Sequence, residues 1–322
     1  MKILVTGVAG AIGSHVAEAL AKRGDAVFGI DNIDPYYDPV IKMLALADVK
    51  EAGVEVVIAD INTIDLTTLG NDIEAIVHFA AQPGISAGTP FAQYVANNIH
   101  ATYALLEYAK TLPKLKLFLH ISTSSVYGRS ARGSEDVVPM PTSPYGVTKL
   151  AAEQLALSRF RSDGLPVAVL RLFSVYGPRE RPEKLYHKLT HAMLLDKPFP
   201  LYEGSEKHER SFTYVGDVVD ACLRALDRYE TIVGEIINIG SSAVHTTGEG
   251  IRIIESLARK KAELVLVPPR YGDQIDTKAV IEKAKRLLDF VPNVSLEEGL
   301  QRQFDWHEKK LFPHLKKEGK IT

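Results

Sequence analysis

The stretch Lys2-Ile-Leu-Val-Thr-Gly7-Val-Ala-Gly10-Ala-Ile-Gly13 decides the fold of this chain. Its first residues are apolar and predict a short strand, and three glycines spaced three apart follow at once. Residues 14–22 then have the pattern of a helix, which Gly24 closes. A glycine-rich turn between a strand and a helix lets bare backbone and a helix N-terminus approach the pyrophosphate of a dinucleotide. The stretch therefore predicts a dinucleotide-binding unit.

Further apolar strands alternate with helical stretches through the first two-thirds of the chain. Continuous apolar strands separated by helices are typical of a parallel sheet that is covered on both faces. From about residue 174 prolines and arginines interrupt this pattern. We therefore expect an α/β fold: a Rossmann-type doubly wound parallel sheet in 1–173, and a smaller α/β substrate-binding domain in 174–322, with 212–242 rejoining the sheet. The further strands are predicted at 26–30, 54–58, 73–79, 117–121, 167–170 and 235–239.

The composition excludes several classes of function. The 322 residues carry a formal net charge of −2 and so provide no excess of positive charge that would hold a polyanion. We therefore expect neither nucleic acid nor a membrane as a partner. No apolar run approaches the ~20 residues that span a bilayer. The single Cys222 lies in an apolar helical stretch and cannot form an internal disulfide. We expect a cytoplasmic protein, and the histidines show no metal-ligand spacing.

A tyrosine and a lysine four residues apart provide the second chemical signal. Tyr145 and Lys149 begin a predicted helix and share one of its faces. A tyrosine beside an ammonium group ionises below its ordinary pKa of about 10 and can act as a base. We expect Lys149 to lower the pKa of Tyr145 and to bind the nicotinamide ribose. With the glycine turn, the pair predicts a dinucleotide-dependent redox enzyme.

Polar side chains end several of the predicted strands. Asp31 follows the second strand, where a carboxylate accepts both ribose hydroxyls of an adenosine and repels a 2′-phosphate, so we predict NAD rather than NADP. A helix or turn cap is the alternative role for Asp31. The hydroxyl run 122–125 follows the fifth strand and could satisfy local backbone groups. Beside the tyrosine helix we favour a catalytic role, in which one hydroxyl bonds the reacting oxygen while Tyr145 removes its proton.

These and other motifs together resemble the extended short-chain dehydrogenase/reductase family, and the resemblance covers nearly the whole chain. Within that family the group most similar to the chain is the UDP-glucuronate 4-epimerases. The motifs are TGxxGxIG from Thr6, Asp31-Asn32, HFAAQ from His78, STSSVYG from Ser122, SPYGxTK from Ser143, LRxFxVYGPRxRP from Leu170 and RSFTYVGDVVDA from Arg210.

The resemblance implies a mechanism, a cofactor and a substrate class. Tyr145 deprotonates the 4-hydroxyl of a UDP-sugar as hydride passes to NAD, the 4-keto sugar rotates, and hydride returns to its other face. A homodimer that pairs the helices near 93–110 and 147–162 is also implied. The implied catalytic residues are Tyr145, Lys149, Thr123, Ser124 and Ser125. The implied cofactor contacts are Gly7, Gly10, Ala11, Ile12, Gly13, Asp31, Asn32, Lys42, Asp60, Ile61, Phe79, Ala80, Ala81, Gln82, Asn98, Tyr145 and Lys149. The implied substrate contacts are Pro83, Gly84, Ser86, Thr123, Ser124, Ser125, Ser174, Arg181, Arg210, Arg270 and Asp273.

The chain departs from the pattern of the uronate epimerases at three places. Ser86 stands where an arginine is usual, Ser174 replaces a threonine, and Glu183-Lys184 follow the Arg179-Glu-Arg181-Pro motif. By the same comparison both arginines lie beside the sugar, with Arg181 the better candidate to close the site, and Lys184 could offset the missing cation.

Four other functions stay open. They are a neutral UDP-sugar 4-epimerase, a UDP-glucuronate decarboxylase, a 4,6-dehydratase and a dinucleotide-sensing regulator without turnover. The dehydratase is disfavoured because Ser124 and Ser125 stand where those enzymes carry Asp-Glu. The regulator is disfavoured because it would have no reason to keep Tyr145, Lys149 and a neighbouring hydroxyl together.

Overall fold

The computed structural model describes residues 1–84, 88–269, 274 and 276–321. Its strands are β1 (Lys2–Thr6), β2 (Ala26–Asp31), β3 (Glu55–Ile58), β4 (Ala75–His78), β5 (Leu117–Thr123), β6 (Ser130–Ala131), β7 (Val167–Leu172), β8 (Val175–Tyr176), β9 (Phe199–Tyr202), β10 (Glu209–Arg210), β11 (Thr213–Tyr214), β12 (Ile236–Ile239), β13 (His245–Thr246), β14 (Leu264–Val267) and β15 (Asp276–Thr277).

The helices connect these strands and form the outer layers. The α-helices are α1 (Gly13–Arg23), α2 (Val40–Glu51), α3 (Phe91–Tyr94), α4 (Ala101–Lys110), α5 (Pro144–Asp163), α6 (Leu185–Leu194), α7 (Val215–Asp227), α8 (Tyr229–Ile232), α9 (Thr247–Ala258), α10 (Glu282–Leu288), α11 (Leu296–Trp306) and α12 (Phe312–Lys317). Short 3₁₀ turns cover Leu66–Leu69, Ser124–Tyr127 and Ser205–Lys207, and π-helical turns cover Val95–His100 and His307–Leu311.

The main sheet has the order β12-β7-β5-β4-β1-β2-β3, and every neighbouring pair in it is parallel. Each predicted strand is present, with ends that differ by at most two residues. The strand order reverses between β1 and β4, which is the point where open α/β sheets bind their ligands at the carboxyl ends of the strands. The predicted Rossmann-type doubly wound sheet is therefore confirmed.

Alternation along each strand creates two cores, one on each face of the sheet. Ile3 and Val5 of β1 pack into one core, and Leu4 between them packs into the other, because successive strand side chains point to opposite faces. The first core is covered by α1, α7 and α10, and the second by α4 and α5. All three of these β1 residues are fully buried. Burial on both faces requires apolar side chains at successive positions, and this is why β1 is a continuous apolar run.

The C-terminal part builds smaller sheets beside the carboxyl edge of the main sheet. They have the orders β13-β10-β15-β6, β11-β8 and β14-β9. A third core joins α6, α9 and α11 through Tyr186, Ile254 and Leu300. β12 lies at the edge of the main sheet, paired with β7. Because β6 from the first part pairs with β15 of the second, the two parts interlock, and the boundary near residue 174 stays a prediction.

The helix predicted near 93–110 is continuous over α3, the π-helical turn 95–100 and α4. The π-helical turn places Asn97 at the carboxyl edge of the sheet, whereas Asn98 is buried. π-helical turns occur often at functional sites. Within the described ranges no helix is both long and apolar enough to cross a membrane.

Candidate active site

A cavity of about 730 Å³ lies at the carboxyl edge of the sheet, where the strand order reverses. The segments that follow β1, β2, β4, β5 and β7 form its floor, and residues of the C-terminal part form the opposite wall. Cavities of about 300–1,000 Å³ are typical of small-molecule sites. The cavity therefore has the size and the position of a binding site for a cofactor and a substrate.

The glycine turn after β1 is packed backbone against backbone. Gly7 has a φ of +69°, and a Cβ there would lie 2.8 Å from the amide nitrogen of Ala80. A Cβ on Gly13 would overlap with the carbonyl oxygen of Gly7. No other residue type fits these two positions without displacing backbone. The turn thus leaves the N-terminus of α1 open to the cavity, which suits a pyrophosphate.

The carboxylate of Asp31 is held in place by backbone amides at the edge of the cavity. Its Oδ2 accepts a hydrogen bond from the amide of Ala9 at 3.0 Å, and its Oδ1 accepts from the amide of Ile33 at 2.8 Å. Each oxygen keeps further acceptor capacity, as ribose hydroxyls require. Asp60 is tied to the same edge by a 3.1 Å hydrogen bond from Asn32. These residues fit the adenosine end of NAD.

The first turn of α5 carries the predicted tyrosine and lysine onto the cavity wall. Ser143 caps the helix by accepting a 3.1 Å hydrogen bond from the amide of Gly146. A Cβ on Gly146 would lie 2.7 Å from the carbonyl oxygen of Ser125, so the helix start packs directly on the hydroxyl run. Tyr145 and Lys149 both line the cavity as a result.

Burial dominates the electrostatics of this pair. Burial raises the pKa of Tyr145 above its ordinary value, while the charge of Arg181 and a hydrogen bond with Thr123 oppose that rise. Lys149 donates from Nζ to the carbonyl oxygen of Ile121 at 2.5 Å, and burial lowers its pKa to about 8. The charge that opposes the rise here is that of Arg181, and the lowering of the Tyr145 pKa by Lys149 stays a prediction.

Most of the site residues expected from the sequence come together in this one cavity. Those that line it are Gly7, Gly10, Ala11, Ile12, Gly13, Asp31, Asn32, Lys42, Asp60, Ile61, Phe79, Ala80, Ala81, Gln82, Pro83, Gly84, Thr123, Ser124, Ser125, Tyr145, Lys149, Ser174, Arg181 and Arg210. Ser86, Arg270 and Asp273 lie outside the described residues.

Asn98 does not line the cavity, in contrast to the expectation. It is buried behind the wall, where its Oδ1 accepts a hydrogen bond from the amide of Gln82 at 2.7 Å. Its Nδ2 donates to the hydroxyl of Thr148 at 2.9 Å. Asn98 therefore joins the segment after β4 to α5, and the neighbouring Asn97 takes the position on the wall.

Two further expectations about cations beside the sugar are also corrected. Arg179 forms ion pairs with Glu18 of α1 and Asp48 of α2 and is absent from the cavity wall. Lys184 lines the cavity, but its ammonium contacts the carbonyl oxygen of Val175 and lies 3.2 Å from Glu180. Arg179 therefore joins α1 to α2. The ammonium of Lys184 is already engaged by the Val175 carbonyl and by Glu180, so it does not replace the missing cation.

Gln274 and Glu183 are among the polar residues of the cavity wall that the sequence did not point to as site residues. Gln274 donates from Nε2 to the carbonyl oxygens of Ser124 at 3.1 Å and Gly128 at 2.9 Å. It thereby holds the hydroxyl run from 150 residues away in sequence. Glu183 forms an ion pair with Arg181 at 2.6 Å. Glu183 was visible in the sequence only as a departure from the family pattern.

A buried ion pair supports the site from behind. Glu153 of α5 and Arg171 of β7 are 0% and 1% exposed, and two guanidinium nitrogens donate to the carboxylate at 3.0 and 2.6 Å. Ser122 donates to the same carboxylate at 2.8 Å. The pair thus joins α5, which carries Tyr145, to both β5 and β7.

Nowhere in the described ranges do three or more histidine, cysteine or acidic side chains form a metal-binding group.

Comparison with known proteins identifies the family. Residues 3–240 match the model of the NAD dependent epimerase/dehydratase family. The chain belongs to this family. The match confirms the family predicted from the motifs, and the family's description contains the cofactor predicted from Asp31, NAD.

Individual relatives are similar over nearly their whole length. The chain is 37% identical over 310 residues to the uncharacterized UDP-glucose epimerase YtcB of Bacillus subtilis, covering 94% of this chain and 96% of that protein. It is 36% identical over 317 residues to the UDP-glucuronate 4-epimerase of Thermodesulfobacterium geofontis, covering 96% of each. The structure of UDP-glucuronic acid 4-epimerase from Bacillus cereus with UDP-glucuronic acid and NAD superimposes with a TM-score of 0.92, at 40% identity, covering 96% of this chain and 99% of that one.

Proposed function

We propose that this chain is an NAD-dependent UDP-glucuronate 4-epimerase, which interconverts UDP-glucuronate and UDP-galacturonate. The observation that carries the proposal is the position of Tyr145, which lines the same cavity as the glycine turn and the hydroxyl-bearing Thr123. The similarity to UDP-glucuronate 4-epimerases over 96% of the chain supports the substrate.

The residues of the site suit the proton transfers that epimerisation requires. Bound NAD supplies a hydride acceptor at its nicotinamide ring. The phenolic oxygen of Tyr145 takes the proton of the sugar 4-hydroxyl, and the Thr123 hydroxyl orients that oxygen by hydrogen bonding. The positive charge of Arg181 stabilises the phenolate that the proton transfer needs. Ser124, Ser125 and Ser174 supply neutral hydrogen-bonding groups on the same wall.

A neutral UDP-hexose 4-epimerase is the second candidate. The guanidinium of Arg181 is already paired with Glu183 at 2.6 Å, so the wall offers a uronate less positive charge than an unpaired arginine would. The relative in Bacillus subtilis that is described as a UDP-glucose epimerase supports the same alternative.

Incubation with UDP-glucuronate followed by NMR of the product sugar tests the proposal. We expect UDP-galacturonate with little UDP-pentose. Stoichiometric release of CO₂ would establish a decarboxylase instead. Turnover of UDP-glucose without any turnover of UDP-glucuronate would establish the neutral-sugar epimerase.

We also propose a cytoplasmic homodimer that pairs through the helical layer formed by α3, α4 and α5. The support is a set of large apolar side chains on these helices: Phe91, Tyr103 and Val147 are 57%, 47% and 46% exposed. Cys222 is buried and unavailable for a disulfide, in keeping with a reducing compartment. Light scattering after size exclusion tests the dimer, and a monomer mass at micromolar concentration would refute it.

A further inference from the structure

An ion pair lies on the wall of the cavity, beside the segment that follows β4. Arg181 Nη1 and Glu183 Oε1 are 2.6 Å apart, and the two side chains are 18% and 35% exposed. A Cβ on Gly84 would lie 3.1 Å from the same guanidinium nitrogen, so the arginine packs directly over that glycine. The pair therefore occupies the wall between the segment after β4 and the segment that precedes α6.

The position of Arg181 puts this pair near the reacting end of the site. Its charge opposes the rise in the pKa of Tyr145 and also that of Tyr37, which lines the same cavity. A group whose charge acts on the catalytic base also acts on a sugar held by that base, because Coulomb interactions in a cavity reach several ångströms. Whatever neutralises Arg181 consequently changes the charge that the sugar meets.

Other cations near the sugar end are engaged elsewhere. Lys149 donates to the carbonyl oxygen of Ile121, and Arg179 is paired with two carboxylates. The ammonium of Lys184 contacts the backbone carbonyl of Val175 and the side-chain carboxylate of Glu180. Apart from the Arg181 contact, the carboxylate of Glu183 accepts no hydrogen bond from the described residues, although both of its oxygens are buried. Buried acceptors of this kind are costly unless a ligand satisfies them.

We propose that Glu183 is a specificity-determining residue that, by pairing with Arg181, lets the site accept neutral UDP-hexoses as well as UDP-hexuronates. The proposal rests on the proposed 4-epimerase function and extends its substrate class. A hydroxyl of a neutral hexose can donate a hydrogen bond to the free acceptor positions of Glu183. The carboxylate of a uronate cannot donate, meets the like charge of Glu183, and has to compete with it for the guanidinium.

The test compares two substrates and two Glu183 variants. The ratio of kcat/KM for UDP-glucuronate to that for UDP-glucose is measured for the wild type, Glu183→Gln and Glu183→Asp, all loaded with NAD. Glu183→Gln removes the charge and frees Arg181, so we expect the ratio to rise about five- to tenfold, mainly through a lower KM for the uronate. Glu183→Asp keeps the charge and should stay within about twofold of the wild type.

The matched control is Glu298→Gln, which removes a carboxylate of the same kind from an exposed ion pair with Arg302, outside the cavity wall. We expect that variant to leave the ratio unchanged. A Glu183→Gln ratio equal to that of the wild type would overturn the proposal. A wild type that neither binds nor converts UDP-glucose would overturn it as well.

Binding measurements separate this proposal from the proposed function. Calorimetric titration of both UDP-sugars into NAD-loaded Tyr145→Phe and Tyr145→Phe/Glu183→Gln reports affinity without turnover. If the wild type converts neither sugar but the affinity ratio still rises on removal of the Glu183 charge, the epimerase assignment fails while the role of Glu183 stands. If turnover is normal and the affinity ratio does not change, the role of Glu183 fails alone.

Discussion

Removal of the charge of Glu153 should destabilise the protein more than any comparable change at its surface. The carboxylate accepts hydrogen bonds from Ser122 and from two guanidinium nitrogens of Arg171, and both charged side chains are at most 1% exposed. Glu153→Gln keeps the shape of the side chain but leaves the guanidinium as a buried charge without a counter-ion. Breaking a buried pair in this way typically costs about 3–5 kcal/mol.

The expected loss lies near the lower end of that range. Arg171 keeps one bond to the hydroxyl of Tyr127 at 2.8 Å, and the glutamine carbonyl oxygen can still accept one bond from the guanidinium. We therefore expect a loss of about 3 kcal/mol in the free energy of unfolding, which corresponds to a fall of roughly 4–5 °C in the melting temperature of a chain of this length. Because the pair joins α5 to β5 and β7, the loss should also lower activity.

Urea unfolding of the wild type and Glu153→Gln measures this loss, at equal cofactor loading because a bound ligand stabilises the folded state. Glu298→Gln is the control, since its exposed ion pair with Arg302 should contribute less than about 1 kcal/mol. The double variant Glu153→Leu/Arg171→Met should recover most of the stability, because it leaves no unpaired charge. A Glu153→Gln variant as stable as the surface control would refute the reasoning.

Three further expectations concern the site itself. Tyr145→Phe should bind NAD normally, by fluorescence titration, and lose about 10²–10⁴-fold in kcat; turnover near that of the wild type would show that another group is the base. Gly13→Ala should weaken NAD binding at least about tenfold in calorimetry, because the added methyl group would overlap with the carbonyl oxygen of Gly7. An unchanged Kd would contradict the tight backbone packing of this turn. Because burial raises the pKa of Tyr145 and the base acts when deprotonated, log kcat/KM should fall as pH falls, with a slope of about one below neutrality. A flat profile between pH 6 and 8 would argue against that ionisation.

Local patterns of the sequence were sufficient for the sheet and for one half of the site. Most of the strands were predictable because they are continuous apolar runs, which a sheet buried on both faces requires, whereas β3 is a largely exposed edge strand. The positions of the glycine turn and Asp31 on the cavity wall were predictable because the turn directly follows one strand of the sheet and Asp31 ends another, at the edge where ligands of such sheets bind. The spacing of Tyr145 and Lys149 was sufficient to place both on one face of a helix.

The electrostatic roles of individual side chains were not predictable in the same way. Arg179 and Arg181 are two residues apart in one motif, yet Arg179 pairs with Glu18 and Asp48, and only Arg181 reaches the cavity. Lys149 stands one turn from Tyr145 as expected, but its ammonium is directed at the Ile121 carbonyl. Such choices depend on which partner lies within about 3 Å, and sequence spacing does not contain that information.

The sequence by itself thus determined the doubly wound sheet, the dinucleotide turn and the tyrosine helix, because each follows from the periodicity and residue types of a short segment. Only the tertiary structure decided that Gln274 holds the hydroxyl run at Ser124 and that Glu183 neutralises Arg181 on the cavity wall. The first contact joins residues 150 positions apart, and the second depends on how a loop lies over Gly84. Packing of the whole chain sets these contacts, because hydrogen bonds and ion pairs act over a few ångströms of space regardless of separation in sequence.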